Sequence, residues 1–99
     1  MSSEKSANGR ELSELCVALR SLKTPAELKA FLDDLLTPGE IRAISERWAV
    51  ARQLERKLPY RLISARTGVS TATVTRVARC LSGGAGGYRR ALERLGRPQ

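Results

Sequence analysis

Glycine 68 separates two short apolar patterns, and no other feature constrains this chain as much. Leu62 and Ile63 precede it, and Val69, Val74 and Val77 follow it, the last two three residues apart. A helix that stops at a left-handed residue and restarts within a few positions must fold back across itself, and glycine adopts the left-handed conformation without penalty. Val69 is then expected as an apolar plug beneath the turn, and Ser70 as the cap of the second helix. Ile63, Val74 and Val77 would face one another across the crossing, with Ser64 and Ala65 small where the helices approach.

Burying that face leaves another one outside. Thr71, Ala72, Thr75, Arg76 and Arg79 fall on it. Hydroxyls serve base edges or phosphates, an alanine methyl suits a thymine methyl, and arginine suits guanine or phosphate. The start of the helix adds its own attraction for an anion. With Arg61, Ser64, Ser70 and Thr73, these residues form the expected DNA-binding set. A hairpin used only for packing would not need such a face.

Charge agrees with this placement. Residues 1–36 carry five Lys/Arg against six Asp/Glu, and residues 37–99 carry thirteen against four, so the net charge of +8 lies in the second part. Between Glu55 and Glu93 there are eight basic residues and no acid. A basic surface of this kind points to a polyanion, nucleic acid first. Solubility alone is the competing explanation. The chain has no histidine, which removes imidazole acid–base chemistry and most zinc sites. Glu46 and Glu55 are isolated, so paired-carboxylate catalysis is not indicated, and Gly83–Gly87 lacks the Lys and Ser/Thr of a phosphate loop. No enzyme activity is expected.

The remaining pattern is helical throughout. Residues 1–7 read as a flexible tail. Asn8 with Glu11 offers a capping box for a first helix carrying Leu12, Leu15, Cys16, Leu19 and Leu22. Thr24-Pro25-Ala26-Glu27 starts a second helix with Leu28, Phe31, Leu32, Leu35 and Leu36, and Thr37-Pro38-Gly39-Glu40 starts a third. The third bears Ile41, Ile44, Trp48, Ala51, Leu54 and Leu58 and ends before Pro59. Short helices are expected over 60–66 and 71–81, then a flexible glycine linker over 82–87, then a last helix with Tyr88, Ala91, Leu92 and Leu95. Trp48 is expected in the core, and Tyr88 to dock the last helix. Cys16 and Cys80 lie on apolar stripes and are expected as buried free thiols of a reducing compartment. The opening residues contain no apolar signal segment, and no stretch approaches a membrane span, so a cytoplasmic, nucleoid-associated protein is expected.

Leu36 through Ile41 (LTPGEI), the following Arg47, and Thr67 through Arg76 (TGVSTATVTR) resemble the Trp repressor superfamily. Tyr60 through Ser64, Arg76 through Arg79, and the glycine segment leading to Tyr88 resemble its YerC/YecD-type branch. The resemblance spans roughly residues 11–95. It implies an all-α, six-helix fold over 8–96, with a helix-turn-helix at 60–81, in an intertwined homodimer. It also implies two recognition helices in successive major grooves of double-stranded DNA, about 34 Å apart.

The resemblance also raises a ligand question. In these repressors two arginines and a threonine hold tryptophan, and the matching positions are Arg47, Arg76 and Thr37. Against that ligand, Val77 stands where the repressors carry glycine beside the indole. Cys80 stands where a serine binds the amino group, and a thiol is a poor acceptor. No cofactor is therefore expected, tryptophan is disfavoured, and any other effector is left open. A sequence-specific regulator, a repressor, is the leading reading. An architectural or replication-associated DNA binder and an antitoxin-like interaction module are the alternatives.

Overall fold

Two helices start at a proline that follows a threonine, and a third is capped by a serine. A computed structural model describes residues 2–96, with side chains from residue 9 onward. It contains six helices: α1 (Ser2–Ser21), α2 (Pro25–Leu35), α3 (Pro38–Glu55), α4 (Tyr60–Thr67), α5 (Thr71–Gly83) and α6 (Gly87–Leu95). Among the described residues there is no strand. The chain forms two compact units, residues 1–38 and residues 39–99.

In the first unit, α1 begins at Ser2, so Asn8 lies inside the helix rather than at its cap, and the polar segment before it continues the helical backbone. The start of α2 matches its sequence signature. The Thr24 hydroxyl accepts the Glu27 amide at 3.1 Å. The Glu27 carboxylate in turn accepts the amide of Lys23, one residue ahead of the cap, at 2.8 Å. The expected apolar stripes are present, but they are only partly covered within the chain. Leu12, Leu28 and Leu35 are exposed, as is Val17, and no residue of α2 is buried. Cys16 is a free thiol but an exposed one, which corrects the expectation of burial. Two helices enclose too little volume to bury both their apolar faces.

The second unit holds the core. Val50 and Ala51 of α3, Ile63 of α4, and Val74 and Val77 of α5 form one buried cluster. Trp48, Leu54, Leu58, Val69 and Tyr88 pack around it, half-buried. Ile44, expected in the apolar stripe of α3, is exposed instead. Helix α3 ends in a paired turn: the Leu58 amide reaches the Gln53 carbonyl at 3.3 Å and the Lys57 amide the Leu54 carbonyl at 2.8 Å. That places Lys57 in the left-handed region, with φ of 63°.

The glycine segment departs from its expected role as a flexible linker. Helix α5 continues through Ser82 and Gly83, leaving only Gly84, Ala85 and Gly86 between helices. Gly84 donates its amide to the Cys80 carbonyl at 2.9 Å and closes α5. A Cβ at Gly84 would lie 2.5 Å from that same carbonyl oxygen, so only glycine fits. Gly86 turns the chain with φ of 90°. Arg89 of α6 reaches back to donate to the Leu81 carbonyl at 2.7 Å. The stretch is a tight turn that needs glycine at 84 because the backbone passes close to itself and at 86 because the backbone is left-handed.

Candidate nucleic-acid interface

The α4–α5 pair is built from the inside outward. Helix α4 ends at Gly68, whose φ of 80° and ψ of 2° are left-handed, and the Gly68 amide bonds the Ser64 carbonyl at 2.9 Å. The Ser64 hydroxyl crosses the turn to the carbonyl of Val69 at 2.5 Å. The Thr67 hydroxyl donates to the Ile63 carbonyl at 2.7 Å and accepts the Val69 amide at 3.4 Å. Ser70 then caps α5, accepting the Thr73 amide at 3.1 Å, with the two hydroxyls of Ser70 and Thr73 also 3.1 Å apart. Helices α4 and α5 pack against each other, and Ile63, Val74 and Val77 close the space between them. The glycine, the plug, the cap and the three facing apolar residues all take the positions that the sequence suggests.

What remains outside is polar and basic. Thr71, Ala72, Arg76 and Arg79 of α5 are exposed, as are Ser70 before it and Arg61 on α4. Thr73 and Thr75 are half-buried, and the Thr75 hydroxyl donates to the Thr71 carbonyl at 3.0 Å. No acidic residue occurs in either helix. Ser64 is half-buried and its hydroxyl is already engaged by Val69, so its visible role is to lock the turn. Lys57 and Arg56, both exposed at the corner leading into α4, extend the basic surface beyond the residues singled out from sequence. The unbroken basic run after Glu55 is the sequence signal by which they can be found.

The residues matched to a tryptophan site are also exposed: Thr37 ahead of α3, Arg47 on α3 and Arg76 on α5. Val77 is 2% exposed and belongs to the core. Cys80 is a free thiol and, contrary to expectation, exposed. It borders an open apolar cavity of about 420 Å³ with Trp48, Tyr88, Ala91 and the Ala85–Gly87 turn. Neither Arg47 nor Arg76 lines that cavity. Trp48 and Tyr88 stack along one wall, with ring centroids 6.4 Å apart and planes inclined by 16°, which docks α6 onto α3. Among the described residues no cluster of three or more His, Cys, Asp or Glu side chains is arranged to hold a metal. No helix among them is long and apolar enough to cross a membrane.

Six helices, with α4 and α5 joined by a glycine turn and backed by α3, define a small all-α protein of the Trp repressor-like kind. The family model described as Trp repressor protein matches residues 10–96. The uncharacterized protein YerC of Bacillus subtilis (strain 168) is 44% identical over 87 residues, covering 88% of this chain and 84% of that one. A TrpR-like protein from Eubacterium eligens superposes with a TM-score of 0.85 at 40% identity, over 91% of this chain and 93% of that one. A candidate Trp repressor from Staphylococcus aureus gives 0.86 at 35% identity, over 96% and 95%. The chain belongs to the Trp repressor family, a family of DNA-binding regulators, and within it resembles the YerC type.

Proposed function

We propose that this protein is a sequence-specific transcriptional repressor that inserts α5 into the major groove of double-stranded DNA. The observation that carries the reading is the outer face of α5. Thr71, Ala72, Arg76 and Arg79 are exposed there, held on a buried Val74–Val77 backing and free of any acid. Arg76 and Arg79 supply guanine or phosphate contacts, and the hydroxyls and Ala72 supply base-edge and methyl contacts. Arg61, on the preceding helix, anchors the backbone.

The working form is a homodimer. Leu12, Val17 and Leu95 are 61%, 69% and 70% exposed in the single chain, and apolar surface of that extent favours a covering partner. The proposal does not include tryptophan as a corepressor. Val77, at the position where the repressors carry glycine, is a buried branched side chain, and Cys80 offers only a thiol.

Selection of bound duplexes from a random pool, with the recovered sequences bound again at two salt concentrations, tests this reading. An inverted repeat with half-sites about one helical turn apart is the expected outcome. Salt-sensitive binding without sequence preference would replace it with an architectural role, and no binding at any salt would leave a protein-interaction module.

A further inference from the structure

Lys57 occupies a conformation that its side chain disfavours. Among the described residues it is the only non-glycine with positive φ, at 63°. The two amide bonds that close α3, from Lys57 and Leu58, require a left-handed residue at this position, where glycine, or sometimes asparagine, is the usual choice. Leu58 packs against the core and so fixes the turn from its far side. The fold therefore asks for glycine at 57 and the sequence supplies an exposed ammonium. A residue held in a disfavoured conformation needs a reason outside the turn itself.

Its surroundings suggest the reason. Lys57 lies between Arg56 and Arg61, at the corner where α3 passes to α4, within the run that contains no acid until Glu93. We propose that Lys57 is a DNA-phosphate contact, separate from the recognition face of α5, and that the chain keeps lysine in a glycine position because this contact outweighs the lost stability. The inference rests on the DNA-binding reading above.

The test compares the full-length protein with Lys57→Gly, Lys57→Asn and Lys57→Arg. Each is melted, and each is titrated across a salt series with the duplex recovered from selection, or with generic duplex if selection finds no consensus. Lys57→Gly and Lys57→Asn should melt higher than wild type. They should also bind DNA several-fold more weakly, with the slope of log affinity against log salt reduced by about 1. Lys57→Arg should keep the wild-type slope. Unchanged affinity and slope in the glycine and asparagine variants would overturn the proposal and leave the DNA-binding reading standing. A wild-type protein that binds no duplex would overturn both.

Discussion

The hydroxyl of Ser64 donates to the carbonyl of Val69 across the left-handed Gly68, 2.5 Å away and five residues on. This one bond ties the last turn of α4 to the residue that precedes the cap of α5, so the spacing of the two helices depends on a side chain as well as on the backbone. Ser64→Ala should lower stability by about 1–2 kcal/mol, since it leaves a part-buried carbonyl without its donor. Measured where both proteins are fully folded, DNA affinity should fall less than for removal of an outward arginine. A large affinity loss without a change in melting would return Ser64 to the contacting set.

Arg76 tests the outward face. Arg76→Ala should weaken binding to the selected duplex by about 1–3 kcal/mol, roughly 5- to 150-fold, with the melting temperature unchanged. If discrimination between bases at one position relaxes, Arg76 reads a base. If all sequences weaken alike and the salt slope falls by about 1, it holds a phosphate. Full affinity in the variant would remove it from the interface.

Val77 tests the inward face. It is 2% exposed and packs with Ile63 and Val74. Val77→Ala removes two buried methyl groups and should destabilise by about 1–3 kcal/mol, read from chemical denaturation. An unaltered unfolding curve would show that the helix crossing does not depend on it.

Two glycines with different roles should respond differently. A methyl group at Gly68 meets nothing within 4 Å, so Gly68→Ala carries only the left-handed strain, about 1–2 kcal/mol. At Gly84 the methyl would lie 2.5 Å from the Cys80 carbonyl oxygen and 2.9 Å from its Cα. Gly84→Ala should therefore force α5 and α6 apart, lose more stability than Gly68→Ala, and shift the fluorescence of Trp48, which stacks on Tyr88 of α6. Equal effects of the two substitutions would contradict the close approach.

The α4–α5 unit was legible in the sequence because each of its parts is local. The cap at Ser70, the turn at Gly68 and the spacing of Val74 and Val77 all lie within a few residues of the partners they need. What was not legible depends on distance or on surroundings. Cys16 shares a stripe with Leu12 and Leu19, and the stripe shows which face is apolar without showing what covers it. Ser82 and Gly83 have low helix propensity, but the Gly84 amide and the Arg89 guanidinium satisfy the carbonyls at the end of α5 and hold them in the helix. Lys57 gave no sign of its conformation, because lysine is an ordinary residue at a helix end and the paired turn that inverts its backbone is set by Gln53, Leu54 and Leu58. The outward side chains of α5 follow from spacing alone, but the bond from Ser64 to Val69 depends on how the turn brings the two together.

The turn at Gly84 has one further mechanical consequence. A three-residue link whose first residue has no room for a side chain, clamped by Arg89 onto the end of α5, leaves little slack between the two helices. Helix α6 is therefore tied to the far end of α5, and the short junction makes the pair a single lever rather than two hinged pieces.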